Sequence, residues 1–156
     1  MIKTTLTISP ATQLKSSKSY FHLHGILEGY LSESISLSGE GYYYEGGISG
    51  ANEFRFNHAG FSKHFVKNNL DFYIGIQPGI SFTKIRLNSP ENAGKEKMGT
   101  NPSFSSVVGV NYFVGKYVHF FIQSRLVLSH HNTDVYRSIN ELKFSGGLGF
   151  NINTLK

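Results

Sequence analysis

The 156-residue chain has no cysteine and no tryptophan. The first absence excludes disulfides and thiolate metal sites. Charge is also scarce: Asp, Glu, Lys and Arg make up 16 % of the chain, against about 25 % in an ordinary soluble domain. No apolar run approaches the ~20 residues of a membrane helix, and mean hydropathy is −0.21. No segment carries a helical period. There is no phosphate loop, no pair of catalytic carboxylates and no cofactor fingerprint, so no cofactor and no metal are expected. The formal charge is +5, but no stacked aromatics or nucleic-acid motif accompany the lysines, and nucleic acid is not an expected partner. Met1–Thr5 leads straight into alternating sequence rather than an apolar leader, as expected of a mature form without its signal peptide.

What is abundant is glycine (17 residues) and aromatics (14 %, all Phe and Tyr). These fall into a period of two. In Leu70–Ile85, LDFYIGIQPGISFTKI, the even positions are almost wholly apolar and the odd ones small or polar. That is the period of a β-strand. The stretch is far longer than the about 5–6 residues of a soluble strand. A continuous apolar face of this length calls for an apolar medium, and a tilted strand of about 9–11 residues already crosses a bilayer.

The same period divides the whole chain into eight strands of one domain, 1–156: Ile2–Ser9, Tyr20–Leu31, Ile35–Glu45, Phe54–Phe65, Leu70–Ile85, Ser103–Phe113, Tyr117–Ser129 and Glu141–Ile152. Two bulges are expected. One lies near His58, because Phe54 and Phe56 set one phase while Ala59 and Phe61 set the other. The second lies at Pro78, which cannot donate to a ladder. Connections alternate in length. Ala11–Ser19, Gly46–Glu53, Arg86–Pro102 and His130–Asn140 read as long polar loops and candidate contact surfaces. The intervening turns are of hairpin size. Long connections on one side and short on the other mark outer-membrane barrels.

The segments FYIGIQPGISF, SVVGVNYFVGKYVHFFIQSRL and KFSGGLGFNIN resemble the small outer-membrane barrels of Gram-negative bacteria, the OmpA/OmpX-like eight-stranded proteins. The resemblance implies an all-β, eight-stranded antiparallel up-and-down transmembrane β-barrel in the bacterial outer membrane. It also implies contact with outer-membrane lipid, lipopolysaccharide included, and possible packing against other outer-membrane proteins.

An eight-stranded barrel is just wide enough for side chains to fill it. The strand phases aim Glu28, Glu40, Arg55, Asp71, Gln77, Arg125 and Lys143 inward. Buried charge must be paired, so an interior network is expected, with Arg125 and Arg55 satisfied by Glu28 and Glu40. His22 and His24, two apart on one face, are expected to join it by hydrogen bonding rather than to hold a metal. Tyr20, Tyr30, Tyr42, Tyr43, Tyr44, Phe65, Tyr112 and Tyr117 fall at strand ends and read as interfacial girdles.

One chemical alternative has named residues. Ser129-His130-His131-Asn132 resembles the late-strand site of eight-stranded lipid A deacylases, with His131 as base, Ser129 as nucleophile and Glu141 as the nearest acid. In that family the His precedes the Ser; here the order is reversed. The main expectation is a non-enzymatic structural or interaction protein with a filled interior, or an accessory subunit of a membrane complex. A soluble barrel holding an apolar ligand inside is the third reading, and it requires the apolar faces to point inward.

Overall fold

A computed structural model describes residues 1–48, 51–86, 96–131 and 137–152. Its strands are β1 (Ile2–Gln13), β2 (Lys18–Tyr30), β3 (Ile35–Ile48), β4 (Ala51–Lys67), β5 (Leu70–Arg86), β6 (Glu96–Val114), β7 (Val118–His131), the two-residue β8 (Arg137–Ser138) and β9 (Glu141–Ile152). Every long strand pairs antiparallel with its sequence neighbours, β7 with β9, and β9 closes on β1. The result is a closed eight-stranded barrel.

Following ladder partners round the wall fixes its stagger. Ile2 leads to Gly29, Leu37, Phe61, Ile76, Ser106, Leu126 and Leu142, and Leu142 pairs with Thr12. One circuit therefore climbs ten residues along β1, the strand tilt by which a sheet closes without an edge.

Alternation decides which face each residue takes. Leu6, Ile8, Phe21, Leu23, Phe72, Ile74, Ile76, Phe120, Ile122 and Phe150 are exposed on the outer wall. His, Ser, Gln, Glu and Lys side chains fill the interior. This reverses the distribution of a soluble protein and overturns the reading as a soluble barrel with inward apolar faces.

The turns after β2, β4 and β6 lie together at one end, the short-turn end, with the start of β1 and the end of β9. Asn68 takes φ +55° in the Asn68–Asn69 turn, a conformation that Asn tolerates better than most residues. Gly115 takes φ +79° in the turn between β6 and β7.

The strands run further than sequence alternation suggests. The expected loop Ala11–Ser19 shrinks to a turn at 14–17, because β1 continues to Gln13 and β2 starts at Lys18. Gln13 points into the lumen while Lys18 and Ser19 stay exposed beyond it, so low hydropathy does not end the strands. Pro10 sits within β1, opposite Phe21. The ladder between β1 and β9 is interrupted between Thr4 and Ala11, so no donor is required of it there. In the same way β3 and β4 close on Gly46–Glu53, leaving only 49–50 outside the described residues. β5 and β6 shorten Arg86–Pro102, with 87–95 outside them. In His130–Asn140, residues 132–136 lie outside them, and β8 pairs with His130 and His131.

Neither expected bulge occurs. The pairing of β3 with β4 keeps one register from Ile35 to Glu45, through His58. The two phenylalanine phases instead belong to two environments: Phe54 and Phe56 are buried in the lumen, and Phe61 and Phe65 face out. At Pro78 the register of β5 on β6 is unbroken. On the β4 side, pairing resumes in the same register after a gap at Ala59–Gly60 opposite Gln77–Pro78. The missing donor is absorbed by this gap, not by an extra residue.

Candidate functional site

Among the described residues, the lumen is where the fold gathers chemistry-bearing side chains. They form tiers along the axis. At the short-turn end, Lys3 of β1 contacts Glu28 Oε2 at 2.7 Å and donates to Tyr30 OH at 2.9 Å. Tyr30 OH donates to Asp71 Oδ2 at 2.6 Å. His64 stands between the two carboxylates, Nδ1 at 2.8 Å from Asp71 Oδ1 and Nε2 at 3.0 Å from Glu28 Oε1. Asn111 donates to Asp71 Oδ2 at 3.0 Å, and Ser36 donates to Glu28.

The middle tier is built on Arg125. Its guanidinium contacts Glu40 Oε1 and Gln77 Oε1 and donates to Ser105 Oγ at 2.5 Å. Gln77 donates to Glu40 at 2.9 Å and to Ser38 at 2.6 Å. The other oxygen of Glu40 meets His24 Nε2 at 3.0 Å, whose Nδ1 faces Ser9 and Ser145. Between these two tiers lies a small cavity of about 20 Å³, lined by Lys3, Glu28, Glu40, His119 and Gln123 among others. That is room for about one water, with several polar groups in its lining beside Ile26 and Phe121.

Further out, Lys143 Nζ meets Glu141 Oε2 at 3.0 Å. It also lies 4.0 Å from the Tyr42 ring centre and 4.1 Å from that of Phe56, so the ammonium is held between two aromatic faces. Glu141 also receives Tyr20 OH and meets His22 Nε2 at 3.3 Å. Above this tier the lumen turns apolar: Ala11, Tyr20, Tyr42, Tyr44, Phe54, Phe56, Val127 and Ile139 pack together. Ile139 reaches in from the segment before β9, fixed by Ile139 N–H to Ser129 O at 2.9 Å.

Six of the seven expected interior residues (Glu28, Glu40, Asp71, Gln77, Arg125 and Lys143) are buried. Arg55 is not. Its side chain is 56 % exposed on the outer wall and pairs with Glu53, because Phe54 and Phe56 take the inward phase of β4. The expected partnership therefore changes: Arg125 satisfies Glu40, and Lys3, not Arg55, satisfies Glu28. The girdle shrinks as well. Tyr20, Tyr42 and Tyr44 are buried in the lumen and Tyr30 hydrogen-bonds within it; Tyr43, Phe65 and Tyr112 stay on the outer wall, and Tyr117 is exposed in the turn before β7.

Sequence reading missed Lys3 and His64. Lys3 alternates against Ile2 and Leu6, so its inward position was there to be found. His64 lies in the inward phase set by Ala59 and Phe61, so its position too was there to be found.

Ser129, His131 and Glu141 are all buried, and each has a different partner. Ser129 Oγ meets Ser81 Oγ at 2.6 Å, His131 Nδ1 meets Thr83 Oγ1 at 2.5 Å, and Glu141 belongs to the Lys143 tier. Among the described residues no group of three or more His, Asp or Glu side chains could hold a metal ion.

No family model matches the chain, and no curated protein matches it in sequence. Solved structures do match. Neisserial surface protein A (NspA) is similar over 97 % of this chain and 96 % of its own, with TM-score 0.71 and 13 % identity. The crystal structure of Ail, the attachment invasion locus protein of Yersinia pestis, is similar over 96 % and 95 %, with TM-score 0.58 and 12 % identity. It has also been solved in complex with the heparin analogue sucrose octasulfate. The N-terminal β-barrel domain of Pseudomonas aeruginosa OprF is similar over 97 % and 96 %, with TM-score 0.55 and 13 % identity. The fold is that of the small eight-stranded outer-membrane barrels.

Proposed function

We propose that this chain is an integral barrel of a bacterial outer membrane and acts as a non-enzymatic structural or interaction protein. Its lumen is a load of paired charges that holds the wall together rather than a passage or a reaction site. The observation that carries this reading is the inverted burial pattern, with aliphatic and aromatic side chains outside and ion pairs inside. Such an exterior is stable only against hydrocarbon, and the aromatic cluster under Ile139 stops the outer end of the lumen. Contacts then fall to the outer connections, where Lys15 and Lys18 flank the first turn, and to the lipid-facing wall. Lipopolysaccharide is the expected lipid neighbour of the outer half. The similarity to two surface proteins, NspA and Ail, supports an interaction role.

The test is reconstitution. The chain is expected to fold only with detergent or lipid, to run on gels as a heat-modifiable band, and to add no ion conductance to a planar bilayer. A monodisperse monomer without detergent would sink the membrane reading. Steady conductance would sink the sealed lumen. Lipid A deacylation that disappears in Ser129→Ala would replace the non-enzymatic reading with the enzymatic one.

A further inference from the structure

On the outer wall near the short-turn end, one cation stands among apolar side chains. Lys63 of β4 has Ile35 of β3 and Ile74 of β5 as its ladder partners. The next outward residues along β4, Phe61 and Phe65, are both exposed. The ammonium reaches back to the turn between β2 and β3 and donates to Ser34 Oγ at 2.9 Å. Its stem thus lies on apolar surface while its charge sits at the rim, as long cationic side chains do at membrane boundaries. Among the described residues no carboxylate comes within ion-pair distance of it. Glu33 lies beside Ser34 on the turn, and Lys67, exposed at the end of β4, outweighs it with Lys63.

Beneath this charge runs an open groove of about 400 Å³, lined by Ile35, Phe61, Ile74 and Ile76 with the backbone at Ser62 and Gly75 as part of its floor. Gly75 faces the lumen, where a Cβ would lie 2.3 Å from Ser62 Oγ, so the two strands lie close together there. An unpaired cation at the headgroup level and an apolar trough directly below it match one kind of molecule. It has an anionic head and a hydrocarbon tail.

We propose that Lys63 and the groove of Ile35, Phe61, Ile74 and Ile76 form a binding site for an anionic phospholipid of the inner leaflet. The phosphate sits on Lys63 Nζ beside Ser34 Oγ, and one acyl chain lies in the groove. A Lys on the lipid face is costly in proportion to its depth, and a lipid phosphate supplies the missing counter-charge at about 1 kcal/mol per cation. The site rests on the membrane reading above.

Native mass spectrometry of the detergent-solubilised barrel, with phosphatidylglycerol or phosphatidylcholine added, tests it. One phosphatidylglycerol is expected to be retained in preference to phosphatidylcholine. Lys63→Gln should weaken that retention about fivefold, Lys63→Arg should preserve it, and Lys116→Gln, on the far turn, should leave it unchanged. Glycerophosphate, a head without tails, should not compete. Equal retention by the wild type and Lys63→Gln, no preference for the anionic lipid, or full competition by glycerophosphate would each overturn the site. A heat-modifiable band from each variant shows that the barrel has folded, so these failures are distinct from failure of the membrane reading.

Discussion

Arg125 on β7 and Glu40 on β3 meet across the lumen although 85 residues separate them in sequence. Their strands lie on opposite sides of the wall, so this ion pair is a strut and not a neighbour contact. Gln77 and Ser105 share the second terminal nitrogen of the guanidinium, and Gln77 and His24 bond to the carboxylate beside Arg125. Removing one partner leaves an uncompensated charge in a packed interior. Arg125→Met is therefore expected to cost about 3–5 kcal/mol in urea unfolding of the micelle-embedded barrel. Much of that loss should return in the double variant Arg125→Met/Glu40→Gln, which removes the stranded charge. Additive losses in the double variant would show that the two do not form a coupled pair.

His64 faces carboxylate oxygens with both ring nitrogens, at 2.8 Å and 3.0 Å. An ionised carboxylate only accepts, so both nitrogens must carry protons. The interior charges agree: among the described residues Lys3, Arg125 and Lys143 oppose Glu28, Glu40, Asp71 and Glu141, one positive charge short until His64 supplies it. In ¹⁵N-resolved spectra at neutral pH, both His64 ring nitrogens are expected at protonated shifts. His24, whose Nδ1 faces only Ser9 and Ser145 hydroxyls, should show one bare nitrogen. A neutral His64 ring would overturn this assignment.

These two predictions mark where sequence reading succeeds and stops. Alternation alone recovers eight strands and the inward aim of Glu28, Glu40, Asp71, Gln77, Arg125 and Lys143, because side chains alternate faces whatever they are. It fails where an apolar residue is needed inside. Phe54 and Phe56 belong to the plug, and taking them as lipid-facing put Arg55 in the lumen and called for a bulge that does not occur. It also fails on partners, which depend on the ten-residue stagger of the closed wall. That stagger is the sum of eight registers, and no single strand encodes it. Strand ends were misjudged for a related reason: a polar strand pointing into a polar lumen reads as a loop.

Ile139 fills the outer mouth and is fully buried, although it lies between two strands and not within one. Its backbone is tied to Ser129, and the neighbouring Asn140 carbonyl receives Leu14 N–H at 2.9 Å. The segment before β9 is therefore a stopper and not a free loop end. Ile139→Ala should lower stability by about 2–4 kcal/mol, the cost of a buried cavity of that size. It should also speed deuterium exchange at the outer ends of β1 and β9 relative to their inner ends. Unchanged stability would mean that the mouth collapses around the gap and that Ile139 closes nothing.

Glycine substitutions separate tight wall from open wall. At Gly79, opposite His58 and next to Pro78, an added Cβ would lie 2.2 Å from the Asn57 carbonyl oxygen. At Gly60, across the same ladder gap, it would lie 2.2 Å from that of Ile76. The obstacles are backbone atoms, which cannot swing aside, so the glycines are what let β4 and β5 stay in register past a proline without a bulge. Gly29 and Gly39, on the outer wall, have nothing within 4 Å of the same position. Gly79→Ala is therefore expected to destabilise the barrel by about 1–3 kcal/mol through overpacking. Gly39→Ala should leave stability unchanged or raise it by roughly 0.5–1 kcal/mol, because alanine restricts the unfolded chain more than glycine does. Both variants go into one unfolding assay, and the sign of each effect is the result. If Gly79→Ala were neutral, the wall would have slack at Pro78, and the close approach of β4 and β5 would not be what preserves the register there.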